Sequence, residues 1–180
     1  PKVFTQRRVE HILSRAVEIG LGFPPLLLAL IIVARMGRSL RSAVLALGIV
    51  SAPSFFRITR SCVLRIRHET YMEAARALGA SPARMVTRHL LPNIAPSLVV
   101  LTTMRMGRLI LAGGALTFIG LGAQPPKPEW GALLAVGRDY LATAPWIAAF
   151  PGAATMLAVL GLNLLGEGLR DALDVHTVDL

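Results

Sequence analysis

The 180-residue chain contains a single cysteine and few charged side chains, with acidic residues the scarcest. Because Cys62 is alone, no internal disulfide can form and a cysteine-based metal site is excluded. Charged residues make up only 16% of the chain and hydrophobic residues 54%, whereas soluble domains keep about a quarter of their residues charged. Together with a mean hydropathy of +0.60, this composition predicts a membrane protein.

Motifs for catalysis and nucleotide hydrolysis are absent from the sequence. There is no glycine-rich P-loop with its lysine, no His-Glu-x-x-His and no Gly-x-Ser-x-Gly. The histidines are far apart along the chain, at His11, His68, His89 and His176. We therefore expect no enzymatic activity, no cofactor and no metal site in this chain.

The net charge of +9 is carried by 17 arginines and only 2 lysines. These arginines flank the apolar runs instead of forming one tract, which favours contact with membrane lipid over a nucleic-acid surface. About twenty apolar residues cross the hydrocarbon layer as a helix. The predicted fold class is an all-α polytopic membrane protein, a helical bundle with four spans near residues 16–34, 43–60, 98–121 and 146–165.

The charges between the spans predict the topology. Residues 61–97 are rich in arginine, whereas the few charges of residues 120–145 cancel. The positive-inside rule therefore places residues 61–97 and the C-terminus in the cytoplasm, and the proline-rich loop of residues 120–145 outside. Arg38 and Arg41 lie on the predicted outer side and do not follow the rule, but the arginines of residues 61–97 are more numerous. Within the outer loop, Leu133–Leu141 is expected to form a short interfacial helix.

Arg105 and Arg108 interrupt the third span, three residues apart and so on one side of a helix. Charge inside a membrane is costly and usually faces a cavity or a partner. One interpretation is that both arginines line a translocation pathway and meet carboxylate groups. The other is that they extend to the cytoplasmic surface, since Arg105 lies only about 10 Å inside the start of the span.

The stretch from Thr70 to Pro96, here called the central segment, is the one long polar stretch between apolar runs. Apolar residues at Tyr71, Ala74, Ala75 and Leu78 predict a short helix with one small apolar face, which Gly79 ends. Ser81 and Pro82 are typical of an N-cap and a first helical position. A second short helix is expected to run to about Leu91, where Pro92 and Pro96 oppose continuation.

Glu73-Ala74-Ala75, then Gly79, then Leu91-Pro92 at this spacing resemble the EAA loop of the inner-membrane permease subunits of ABC importers. His89 ahead of Leu-Pro-Asn resembles the peptide/nickel branch of that family. So do the run from Gly120 through Gln124-Pro125-Pro126 and the closing residues from Gly166. Many such permeases carry a glutamate where this chain has Gly113, and this departure leaves the solute open.

The resemblance implies one permease transmembrane domain with a cytoplasmic coupling-helix loop at about residues 61–97. It implies a bacterial inner-membrane location and a pathway for peptides or a related solute such as a nickel chelate. The expected partners are two ATPase subunits that hydrolyse ATP, a second related permease forming a heterodimer, and an extracytoplasmic binding protein. Family members carry more spans than four, so N-terminal spans are expected to precede this stretch. The implied ATPase-coupling residues are Glu73, Ala74, Ala75, Arg76, Leu78, Gly79, Leu91 and Pro92.

Two other classes of function are alternatives to this one. A helical channel or a membrane scaffold without ATP coupling would also be apolar and helical, but neither would need the central segment. Glu73 taken alone could simply complement the dipole of a helix start. Its place within the full spacing favours a contact with a partner instead.

Overall fold

The computed structural model describes Arg15 and residues 22–174, and this part of the chain is helical, as predicted. We number its helices α1 to α6 in chain order. Within α4, residues Met85–Leu90 form a π-helical segment between α-helical ends. The bounds are Pro25–Met36 for α1, Leu40–Ile66 for α2, Thr70–Ala77 for α3, Pro82–Phe118 for α4, Trp130–Arg138 for α5 and Trp146–Asp174 for α6.

Three of these helices, α2, α4 and α6, are long and apolar enough to cross a membrane. The described part of the first predicted span is α1, which has 12 residues and is shorter than a crossing requires. Residues 16–21 of that span lie outside the described residues. In the most apolar stretch of α6 only 6% of residues are buried. The long helices therefore present most of their apolar surface outward, as lipid-facing helices do.

Pro92 and Pro96 do not end a helix, so the prediction of a second short helix stopping at Leu91 is wrong. Helix α4 continues from Leu91 to Phe118 with Pro96 inside it. A proline removes one backbone donor, and membrane helices tolerate that loss because other groups satisfy the freed carbonyls. Between the two prolines, Asn93 Nδ2 donates to the His89 carbonyl. The 61–97 loop is consequently helical over most of its length.

The chain forms two compact units. Unit 1 comprises the described residues up to Phe56 together with Arg108–Ala158, and unit 2 comprises Arg57–Gly107 and the described residues from Val159 onward. The core of unit 1 joins α1, α2 and α4, with Val33 and Leu116 fully buried. Its other members are small: Ala29, Ala43 and Ala46. Small side chains at these positions let the helix backbones approach closely.

Helix α5 is held in unit 1 by two glycines that touch other backbones. A Cβ atom added at Gly131 would lie 2.2 Å from the Gly114 carbonyl oxygen, and one added at Gly137 would lie 2.8 Å from the Cα atom of Ala148. The Glu129 carboxylate caps the helix by accepting from the Ala132 N–H at 3.0 Å. Consequently α5 begins at Trp130, three residues before the predicted start, and packs backbone to backbone on α4 and α6.

Unit 2 has its own apolar core, formed where α2, α3 and α4 meet. Its buried residues are Ile66 from α2, Met72 from α3, and Met85 and Ile94 from α4. Ala75, Ala80 and Leu90 pack against this cluster. The central segment is therefore a packed part of the fold.

Candidate functional site

The corner between α3 and α4 is built by local backbone chemistry. Gly79 has φ +79°, a left-handed conformation that glycine adopts without steric cost. The Gly79 N–H donates to the Arg76 carbonyl at 3.1 Å, and the Ala80 N–H donates to the Ala75 carbonyl at 3.0 Å. These two bonds form a Schellman motif, and Ala75 and Ala80 pack on the same cluster beside it. The predicted end of the first helix at Gly79 is confirmed.

The start of α4 is also as predicted. The Ser81 hydroxyl accepts from the Arg84 N–H at 3.3 Å, and Pro82 occupies the first turn, where its missing donor costs nothing. The Met85 N–H then donates to the Ser81 carbonyl at 2.9 Å. Only Leu78 to Ser81 separate the end of α3 from α4, so the corner is tight and its direction is fixed.

Helix α3 has two apolar faces, where the sequence predicted one. Met72 is 3% exposed and Ala75 is half-buried, and both face the core of unit 2. Tyr71, Ala74 and the C-cap residue Leu78 recur at positions i, i+3 and i+7 on an adjacent side, and all three are exposed. Leu78 is 88% exposed, the highest value among the large hydrophobic residues described. We call Tyr71, Ala74 and Leu78 the outer face of α3.

Charged side chains border this outer face. Glu73 and Arg76 on α3 are exposed, as is Arg84 at the start of α4. Ala75, which the sequence grouped with Ala74 and Leu78, instead points into the fold. Met72 was missed as the residue that fixes the inner face. Its signal was its spacing of three from Ala75.

The π-helical segment lies beside α3. The Tyr71 and His89 rings are tilted at 43° with their centroids 6.5 Å apart, which joins the first turn of α3 to this segment. The Leu91 N–H donates to the Val86 carbonyl, five residues back, so the wider turn persists up to the Leu-Pro pair. Leu91 and Pro92 themselves are exposed. Single π turns inside α-helices frequently occur at functional sites.

The two arginines of α4 differ in their surroundings. Arg105 is half-buried, whereas Arg108 is exposed. Arg108 follows Leu98 by ten residues and precedes Phe118 by ten, so it lies about 15 Å from either end of the apolar stretch. At the centre of a membrane helix an arginine costs about 2.5–3.5 kcal/mol on insertion scales, unless it faces a cavity or a partner.

Residues 3–177 match the family model of the binding-protein-dependent transport system inner membrane component. The chain belongs to this family of permeases. It is 46% identical over 168 residues to the dipeptide transport system permease protein DppC of Alkalihalophilus pseudofirmus, covering 93% of this chain and 55% of that protein. It is 44% identical over 165 residues to the glutathione transport system permease protein GsiD of Shigella flexneri and of Escherichia coli, covering 92% of this chain and 54% of those proteins.

This permease chain spans about half the length of the curated relatives it matches. Family membership and the three long apolar helices make it an integral inner-membrane protein. These relatives are named as transport permeases for a dipeptide and for glutathione. Neither name mentions nickel.

Proposed function

We propose that this chain belongs to the permease subunit of an ABC importer for dipeptides or related small peptides, and that α3 docks on the importer's ATPase. The observation that carries this proposal is the outer face of α3. Its apolar residues are exposed, while Met72, on the side turned to the core of unit 2, is buried. A helix anchored on one side and apolar on the other presents a ready surface to a groove in a partner.

The residues proposed for coupling have different roles. Ala74 and Leu78 enter the groove, and Glu73 and Arg76 pair with charges at its rim. Ala75 and Gly79 hold the helix and its corner in position. Leu91 and Pro92 lie at the end of the π-helical segment, where α4 resumes the α-helical spacing. Motion imposed on α3 is passed to α4 through this corner.

The proposed mechanism is alternating access. Two cytoplasmic ATPase subunits close on ATP, move the α3–α4 corner, and switch the pathway from cytoplasm-facing to outward-facing. A second, related permease completes the pathway, and a binding protein delivers the solute at the outer loop of residues 120–145. In this arrangement residues 61–97 and the C-terminus are cytoplasmic. We propose that Arg105 and Arg108 each contribute to the pathway.

The test is capture of the full-length permease and its partner permease by the tagged ATPase in detergent. We compare the wild type with Leu78→Arg, which changes the most exposed residue of the outer face. The matched control is Leu133→Arg on α5, where Leu133 is 45% exposed in unit 1. We expect Leu78→Arg to abolish capture and Leu133→Arg to retain it.

Other outcomes point to other functions. If both variants are captured like the wild type, α3 does not dock the ATPase. If the inserted wild type is itself not captured, the channel or scaffold alternative replaces the importer. Glu73→Arg and Gly79→Val together provide a second disruption that leaves Leu78 unchanged.

A further inference from the structure

Arg108 is a charged group without a counter-charge in the described part of its own unit. It lies at the middle of the apolar stretch of α4 and is exposed at the surface of this chain. Its distance from both ends of that stretch is too great for the side chain to reach an interface. The hydrocarbon of the bilayer does not solvate a guanidinium, so Arg108 faces a group outside this part of the chain.

Acidic residues of unit 1 are engaged elsewhere. Among its described residues only Glu129 and Asp139 carry carboxylates. Glu129 accepts the Ala132 N–H at the start of α5. Asp139 pairs with its neighbour Arg138, 3.4 Å from the Nε atom. No residue between Ala74 and Pro128, the stretch that includes all of α4, is acidic. Neither α4 nor the described remainder of unit 1 therefore supplies a carboxylate for Arg108.

We propose that Arg108 binds the carboxylate of the transported solute as that solute passes the middle of the membrane. This inference rests on the proposed importer function and adds the chemical class that the pathway selects. A guanidinium offers two parallel N–H donors that match the two oxygens of a carboxylate. Transporter sites for solutes lie near the bilayer midplane, which is the depth of Arg108 in α4.

Charge complementarity favours the solute as the occupant. A dipeptide and glutathione, the solutes in the relatives' names, both carry free carboxylates at neutral pH. A fixed carboxylate elsewhere in the complex, for example on the second permease, is the competing source of counter-charge. That source would make Arg108 part of a permanent ion pair, and removing one partner of such a pair impairs assembly. Loss of Arg108 should therefore impair uptake of the solute if the solute supplies the carboxylate, and assembly of the complex if a protein subunit supplies it.

The experiment uses the full-length permease with its partner permease, ATPase subunits and binding protein in proteoliposomes. Uptake of dialanine is compared with uptake of dialanine amide, which lacks the carboxylate. The permease variants are wild type, Arg108→Gln, Arg108→Lys and Arg38→Gln, the last a matched loss of an exposed arginine in the link between α1 and α2. Because the binding protein is the same throughout, its own preference cancels in the comparison between variants.

We expect Arg108→Gln to slow dialanine uptake at least about tenfold and to leave uptake of the amide nearly unchanged. Arg108→Lys should retain part of the preference for dialanine over its amide because the positive charge remains. Arg38→Gln should behave as the wild type. Equal uptake by Arg108→Gln and the wild type, or an equal loss for both peptides, overturns the proposal. Loss of the partner permease from purified Arg108→Gln assigns the counter-charge to that subunit and also overturns it. A wild-type complex that takes up neither peptide refutes the importer function itself.

Discussion

Substituting Gly131 by alanine tests whether α5 is clamped onto α4. The added Cβ would lie 2.2 Å from the Gly114 carbonyl oxygen and 2.8 Å from the Gly114 Cα atom. Ordinary contact begins near 3.4 Å, so the backbones must separate by about 1.2 Å. Because the obstructing atoms are backbone, no rotamer change relieves the clash. Overpacking of this kind costs about 1–3 kcal/mol.

The matched control is Gly48→Ala on α2, also in unit 1. A Cβ at Gly48 meets nothing within 4 Å, and alanine in a helix interior is favoured over glycine by about 0.5–1 kcal/mol. The two changes add the same methyl group but should move stability in opposite directions. This contrast separates the close contact at Gly131 from any general effect of removing a glycine.

Thermal unfolding of the purified permease in detergent measures both variants. One kcal/mol shifts the Tm of a chain of this size by about 2–4 °C, so Gly131→Ala should lower Tm by about 2–12 °C. Gly48→Ala should leave it level or raise it slightly. Tryptophan fluorescence is a suitable probe because Trp130 and Trp146 begin α5 and α6. An unchanged Tm for Gly131→Ala, or an equal fall for Gly48→Ala, would refute the clamp.

Three further changes test the central segment. Gly79→Val places a side chain where φ is +79°, a conformation that costs about 1–2 kcal/mol for residues other than glycine. Peptide uptake should therefore fall while membrane insertion persists, and uptake at the wild-type rate would contradict this. Ser81→Ala removes the cap of α4 at a cost of about 1 kcal/mol, so the Arg84 amide should exchange faster with deuterium, and Ser81→Asp should restore protection. Met72→Ala should lower the free energy of unfolding by about 2–5 kcal/mol because Met72 is buried. Leu78→Ala should leave the Tm nearly unchanged because Leu78 is 88% exposed, and equal Tm shifts for the two variants would contradict the inner and outer faces of α3.

The corner at Gly79 was predictable because its determinants are local. A glycine after the last apolar residue, then serine and proline, specify a left-handed stop, a cap and a first helical turn within four residues. The all-α fold class was predictable for a related reason, since long apolar runs have no alternative to helices in a membrane. Neither conclusion required knowledge of which helices touch.

The course of the chain beyond Leu91 was not predictable in this way. The sequence predicts a helix stop at Pro92 and Pro96 because each lacks a backbone donor. Whether a helix ends there depends on what surrounds the carbonyls that the prolines leave unbonded, and the local sequence does not specify those surroundings. The π-helical segment also has no local sequence signal. It places the His89 ring beside Tyr71, a contact between residues that are 18 positions apart.

The two faces of α3 show why the sequence predicted the helix but not the orientation of its apolar residues. Apolar residues at helical spacing reveal that a helix side is buried, but not whether the cover is this chain or a partner. Met72 and Ala75 are covered by Ile66, Met85 and Ile94 from α2 and α4. Ala74 and Leu78 are exposed in the described chain, and Tyr71 is exposed beside the His89 ring. A short helix with both kinds of face can be fixed in its own fold and still present a second apolar surface. That combination fits the docking proposed for α3, since a helix already held in its own fold loses less orientational entropy on binding.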